Sequence, residues 1–354
     1  MNFDPKQFDK SNLRQVILDT PSQFETGFSL SRDIKVAGRF KSIVVSGMGG
    51  SALPGNLLRT YLNDLYRNYE KKPLAIYQNR FYSLPPESYN NCLNIFCSYS
   101  GNTEETIASF QEAIKNKLPS IALSCGGEME NLARENNIPH VKLPAPYPNF
   151  QPRAATGYFF SIIFQLIVNH GLVTDAAKEI LQEASKLKDK MHLYEEKGKT
   201  LAKKLVGKTP VIYASTKYKS VAMVWKIKIN ENAKTPAFWN FFPEVNHNEM
   251  VGFTNPQAKF FIIMLKDPQD HERNKRRYEL TAHLLKEKGI ESEIIDMEGD
   301  NVFYKIFSSI NIADWTSYYL ALEYGQDPTP VDMVEKLKRI LASDPFDEVR
   351  VNPE

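Results

Sequence analysis

The sequence predicts an α/β protein with two open parallel sheets flanked by helices, and helical segments at the N- and C-termini. Three observations predict it. Short apolar segments alternate with segments of helical period, as parallel strands covered by helices do. The alternation starts twice, at Ile43 and again at Pro210. Between the two starts, the Pro-rich stretch Leu143–Pro148 closes the first unit and a run of helical sequence follows. The expected division is an N-terminal helical segment at 1–38, a first domain at 39–172, a second domain with a C-terminal helix at 173–343, and a tail at 344–354.

Residues 1–38 read as mostly helical, with Asp4-Pro5 as a start signal and an amphipathic run through Leu13, Val16 and Ile17. In the first unit, strands are expected at 42–46, 73–78, 93–98, 119–124 and 139–143. Helices are expected near 51–65, 103–116 and 128–136. A long helix pair follows at 156–171 and 174–207. The second unit is expected to hold strands at 210–214, 259–266 and 291–297, with helices at 217–231, 270–288 and 302–324. A last helix covers 331–342, started by Asp327-Pro328-Thr329-Pro330. The residues after it read as a loose polar tail.

Composition removes several function classes. The 354 residues carry 44 Lys and Arg against 42 Asp and Glu, a net charge of +2. That balance leaves no global basic footprint, so no nucleic-acid partner is expected. Local basic clusters at 186–190, 197–208 and 273–277 read as solvated helix faces. The three cysteines, Cys92, Cys97 and Cys125, are odd in number and lack metal spacing. Cys97 and Cys125 sit at expected strand ends and read as buried free thiols, which fits a reducing cytoplasm. Met1–Lys10 is polar and carries no signal-peptide pattern. Tyr158–Val173 is the most apolar segment, but Ser161, Gln165, Asn169 and His170 interrupt it. It reads as a buried helix, because a membrane span needs about 20 mostly apolar residues. No membrane partner is expected.

Two loops carry the chemistry. Gly47-Met48-Gly49-Gly50-Ser51 follows the first strand, and Ser98-Tyr99-Ser100-Gly101-Asn102-Thr103 follows the third. Each precedes a helix N-terminus, where free N–H groups and the positive end of the dipole attract anions. Gly47–Ala52 formally matches the dinucleotide pattern. The next strand, however, ends Tyr77-Gln78-Asn79-Arg80, with no carboxylate for a ribose. No Gly-Lys-Ser/Thr follows either, so the P-loop reading fails. Gly49, Gly50 and Ser51 on one side, with Ser98, Ser100 and Thr103 on the other, suit a compact phosphate monoester held from two directions. Gly101 permits a tight approach. The structural alternative is that Ser98–Thr103 only turns the chain and caps a helix.

Ser98–Thr106 resembles the phosphosugar motif of sugar isomerase (SIS) domains, and Gly47–Ser51 resembles their first loop. From about residue 40 to 342 the chain resembles the bifunctional phosphoglucose/phosphomannose isomerases, which carry two SIS domains. Four stretches carry that closer match: Pro152-Arg153-Ala154-Ala155, Asn230-Glu231-Asn232-Ala233-Lys234, Asn246-His247-Asn248, and Asp327-Pro328 through Lys338. The resemblance implies two SIS-type domains and an aldose–ketose isomerase working through a cis-enediol. Glucose 6-phosphate and fructose 6-phosphate would be interconverted, with mannose 6-phosphate also taken, in a cytoplasmic homodimer that needs no cofactor.

It further implies Glu231 as the proton-shuttling base, Arg153 at the enediolate, His247 of the partner subunit for ring opening, and Lys338 as the second ring-opening residue. Lys336 is the nearest competitor, offset by two residues onto another helix face. Family members with mannose activity can carry a Thr seven residues before this lysine. Here that position is Val331, and Thr329 lies two earlier.

The residue types suit these roles. A carboxylate in a closed pocket has a raised pKa and can take and return a proton. A guanidinium stays charged and stabilises negative charge without joining the transfer. His247 is flanked by amides able to fix its tautomer. With Glu244 and Glu249 it lacks His-x-His or His-x-x-x-His spacing, so no metal is expected. The plainer readings are an exposed helix-end carboxylate for Glu231 and a surface-loop arginine for Arg153. Two other functions compete: a phosphosugar sensor that kept the loops and lost the chemistry, and a different enzyme such as an amino-sugar or arabinose-phosphate isomerase. Residues 1–38 lack a basic recognition helix, which disfavours a sensor with a DNA-binding output.

Overall fold

The computed structural model describes residues 7–65 and 74–343; the expected start signal Asp4-Pro5 and the expected tail lie outside the described residues. The chain opens with α1 (Leu13–Leu18) and α2 (Gln23–Ser31), joined by a 3-10 turn at Thr20–Ser22. Beyond Ser31 the path to the first strand is irregular, so the N-terminal segment is less helical than expected.

The first sheet contains β1 (Ser42–Gly47), β2 (Ala75–Asn79), β3 (Cys92–Cys97), β4 (Ser120–Ser124) and β5 (His140–Lys142). Their order is β2-β1-β3-β4-β5 and every pair is parallel. Helices α3 (Gly49–Leu65), α4 (Glu104–Lys115) and α5 (Gly127–Glu135) connect them. β1 and β3 are buried throughout, as their mostly apolar character favours. Gly47 pairs with Cys97, so the loops leaving these two strands start side by side. The strand order reverses there, which is where open α/β sheets bind ligands.

A buried α6 (Thr156–Asn169) packs against α2 and α3. The expected helix 174–207 is two helices, α7 (Ala177–Asp189) and α8 (Met191–Leu205). Lys190, at φ −101° and ψ 5°, breaks them apart, and its N–H bonds the last carbonyls of α7. The sequence holds no Gly or Pro at this point, so the helical period runs through the break unmarked.

The second sheet contains β6 (Thr209–Ser215), β7 (Phe238–Phe242), β8 (Phe260–Lys266) and β9 (Glu291–Asp296), ordered β7-β6-β8-β9 and all parallel. β7 was not expected. Phe238-Trp239-Asn240-Phe241-Phe242 lacks period-two alternation because it lies at a sheet edge, with its first residue exposed and its last buried. Helices α9 (Lys219–Ala233), α10 (Glu272–Glu287) and α11 (Val302–Glu323) connect or follow these strands. Buried over nearly its whole length, α11 packs against α8 and α9. One continuous core runs from Ile43 and Leu93 in the first half to Ile212 and Trp315 in the second.

At the carboxyl edge of the second sheet, Asp267 follows β8 and is fully buried. Its Oδ1 accepts a hydrogen bond from Lys305 Nζ at 2.6 Å, and Lys217 Nζ, from the loop after β6, lies 3.7 Å from Oδ2. The chain ends, among described residues, in α12 (Asp332–Ser343). Met333, Val334, Leu337, Ile340 and Leu341 on this helix are all exposed. Cys92 and Cys97 are buried and Cys125 is half-buried; all three are free thiols, so Cys125 is more open than expected. No helix among the described residues is long and apolar enough to cross a membrane.

Candidate active site

The two loops meet directly. Ser51 Oγ accepts from the Tyr99 N–H at 3.1 Å, which ties the first loop to the second. Ser98 is fully buried, and its Oγ accepts from the N–H groups of Gly101 (3.1 Å) and Thr103 (3.3 Å). It also lies 2.8 Å from Thr103 Oγ1. Ser98 and Ser51 therefore shape the backbone of the site. Ser100 is exposed and Thr103 half-buried, so their hydroxyls lie nearer the surface. Thr103 is the N-cap residue of α4, yet its side chain makes no capping bond to the helix.

Glycine is required at two of these positions. A Cβ on Gly101, at φ +75°, would stand 1.7 Å from the Gly126 carbonyl oxygen. A Cβ on Gly50 would stand 2.5 Å from the backbone nitrogen of Arg153 and 2.7 Å from its Cα. The N-terminus of α3 thus presses on the backbone that carries Arg153. Gly49, at φ +49°, is exposed and has nothing within contact of an added Cβ.

Arg153 sits in a 3-10 turn, Pro152–Ala154, and is 1% exposed, so the surface-loop reading is excluded. Each of its N–H groups has an acceptor. Nε donates to Asn232 Oδ1 (2.6 Å). Nη1 donates to Glu231 Oε2 (3.2 Å) and Gln151 Oε1 (3.4 Å). Nη2 donates to the carbonyls of Pro328 (2.9 Å) and Thr329 (2.8 Å). Burial pulls its pKa down and the Glu231 charge pulls it back up. A guanidinium starts so high that it stays protonated. One turn from Glu231 on α9, buried Lys228 donates to the Arg153 carbonyl (2.8 Å) and pairs with buried Asp314 of α11 at 2.5 Å.

Glu231 lies in the last turn of α9, which runs two residues beyond its expected end. Its side chain is 30% exposed and paired with Arg153. The closed pocket expected around this carboxylate is therefore not completed by this chain's described residues.

The structure does not bring His247 or Lys338 into bonding contact with this cluster among the described residues. His247 is exposed and follows a 3-10 turn at Glu244–Asn246. The flanking amides serve the loop, where an effect on the ring was expected: Asn246 Nδ2 donates to Thr281 Oγ1 (2.9 Å), and Asn248 Nδ2 to Glu244 Oε1 (2.6 Å). Lys338 is exposed on α12 and pairs with Glu335 at 2.7 Å. Thr329, in contrast, is 3% exposed and joined to Arg153 through its carbonyl.

Sequence reasoning missed Asn232, Gln151, Lys228 and Asp314 as supports of Arg153. Asn232 was visible in the Asn-Glu-Asn motif, and Lys228 lies one helical turn before it. Nothing marked Asp314, a lone acid inside an apolar helix.

Comparisons with known proteins place the chain in a family. Residues 194–341 match the bacterial phospho-glucose isomerase C-terminal SIS domain. The bifunctional phosphoglucose/phosphomannose isomerase of Caldicellulosiruptor bescii is 36% identical over 342 residues, 92% of this chain and 98% of that protein. The D-glucosamine-6-phosphate 4-epimerase of Sulfolobus acidocaldarius is 31% identical over 313 residues, 88% of this chain and 92% of that one. The crystal structure of glucosamine-6-phosphate deaminase from Thermotoga maritima superposes with a TM-score of 0.65 at 14% identity, over 89% of this chain and 96% of that one, and shares the fold. On its extended identity to such relatives, this chain belongs to the bifunctional phosphoglucose/phosphomannose isomerase family.

Proposed function

We propose that the chain is an intramolecular oxidoreductase that interconverts glucose 6-phosphate and fructose 6-phosphate and also accepts mannose 6-phosphate. The observation that carries this reading is the Arg153–Glu231 pair, a fixed cation beside a partly open carboxylate, seated against the Gly50 loop. In this reading the phosphate rests between Gly49–Ser51 and Ser98–Thr103. Glu231 takes the C2 proton of the open-chain aldose and returns it to C1 of the cis-enediol. Arg153, with every donor committed within the protein, acts on the enediolate charge through its field rather than by a hydrogen bond. One carbon is oxidised as its neighbour is reduced, so both electrons stay in the sugar and no cofactor is required.

Ring opening falls to His247 of the partner subunit and to Lys338. The exposed apolar side of α12 supports a homodimer, since a row of exposed apolar residues of this length normally faces another protein surface. The free thiols fit a cytoplasmic setting.

The test is a coupled assay with glucose, mannose, fructose and glucosamine 6-phosphates. Isomerisation of glucose and fructose 6-phosphates is expected. Binding of fructose 6-phosphate without turnover in either direction would make the protein a phosphosugar sensor instead, and turnover of glucosamine 6-phosphate alone would make it an amino-sugar enzyme.

A further inference from the structure

Lys234 closes the Asn-Glu-Asn-Ala-Lys stretch and has no role in the chemistry above. It is the residue after α9 and takes a left-handed conformation, φ 56° and ψ 31°. That backbone folds its ammonium back over the end of its own helix. Nζ donates to the carbonyls of Glu231 (2.8 Å) and Asn232 (3.3 Å), and across the site to the carbonyl of Pro328 (3.0 Å). The first two bonds are helix capping, favoured by the negative end of the dipole. Capping does not account for the third.

The Pro328 carbonyl also accepts from Arg153 Nη2. Two cations therefore converge on one oxygen. That arrangement costs Coulomb energy unless neighbouring acids offset it, and the facing groups include Glu231 on α9, Asp327 in the strap and Asp332 on α12. The strap itself is ordered by Asp327 Oδ1, which accepts from the Thr329 N–H at 3.0 Å. Asp327–Pro330 is the only covalent path from α11 into α12, the helix that carries Lys336 and Lys338.

We infer that Lys234 is a positioning residue for the isomerase reaction: with Arg153 it clamps the Asp327–Pro330 strap to the end of α9 and so fixes α12 relative to Glu231. This rests on the isomerase reading. The clamp depends on the ammonium's charge. Burial and the Arg153 charge push the Lys234 pKa down to about 8. Neutral lysine lacks one donor and the charge, so the clamp weakens as pH rises through that value.

The experiment uses full-length Lys234→Met and Lys234→Arg proteins. In Lys234→Met, kcat falls about tenfold, while KM for fructose 6-phosphate stays within about twofold. Amide exchange across 327–343 speeds up in the substrate-free protein. Lys234→Arg restores most of kcat and moves the alkaline limb of the activity profile upward, because arginine does not deprotonate there. A Lys234→Met protein with unchanged exchange over 327–343 overturns the clamp, even if the wild type turns out to isomerise no sugar. Unchanged kcat and alkaline limb in both variants overturn the positioning role. An inactive wild type with faster exchange in Lys234→Met would sink the isomerase reading and leave the clamp standing as a structural feature only, with no part in catalysis.

Discussion

The Arg153 guanidinium and the Glu231 carboxylate lie 3.2 Å apart, the first sealed in protein and the second open on one side. The cation has every donor committed, four of them to oxygens other than carboxylates. It cannot swing towards a substrate. The carboxylate is held through Oε2, which leaves Oε1 as the oxygen that can meet a carbon-bound proton.

Replacing the base separates binding from chemistry. Glu231→Gln keeps the shape and one acceptor for Arg153. Turnover of fructose 6-phosphate is expected to fall about 10²–10⁴-fold, with its calorimetric affinity nearly intact. Unchanged turnover would remove Glu231 from its role.

Gly50→Ala places a methyl against backbone atoms of Pro152 and Arg153, which cannot rotate away. The expected cost is about 1–3 kcal/mol in urea unfolding, with a loss of kcat as Arg153 shifts. A wild-type kcat would show that the pressure of α3 on this turn is without consequence.

Lys228→Met leaves Asp314 buried without its cation. Removing one partner of such a pair costs about 3–5 kcal/mol, measured as a lower midpoint in urea. Adding Asp314→Asn is expected to recover part of that loss, and no recovery would place the damage elsewhere in the packing.

Thr329→Val removes a buried hydroxyl that has no hydrogen-bond partner among the described residues. If this residue serves the substrate, the mannose to glucose turnover ratio changes while fructose 6-phosphate affinity holds. An unchanged ratio would return the question to Val331.

Mixing inactive Glu231→Gln and His247→Ala proteins tests the shared site. Random pairing makes half of the dimers mixed, and each has one intact site, so about a quarter of wild-type activity is expected. No recovery after exchange of subunits would place His247 in its own chain's site or outside the chemistry.

The alternation of strands and helices was legible because buried parallel strands are short and apolar, and β1, β3, β6 and β8 meet that description. β7 was not, since an edge strand ending in two phenylalanines has no period to read. The break at Lys190 was invisible because tertiary packing of α8 on α11, with no Gly or Pro to mark it, accompanies the change of direction there. In the site, the loops and the Asn-Glu-Asn stretch were readable as motifs. The burial of Arg153 was not, because most of its acceptors come from segments as distant as Asn232 and Thr329, and only folding brings them together.

The buried Asp267–Lys305 pair marks a difference between the two sheets that bears on ligand stoichiometry. The second sheet repeats the order of the first four strands of the first, without a counterpart of β5, and its β6 and β8 loops stand where β1 and β3 loops stand in the first. There the chain supplies its own anion, already neutralised by Lys305 and Lys217. A phosphate arriving at that edge finds both lysines already drawn to an internal carboxylate. The two sheets are expected to be used unequally, with titration by a sugar phosphate saturating at one molecule per chain; two molecules per chain would overturn that expectation.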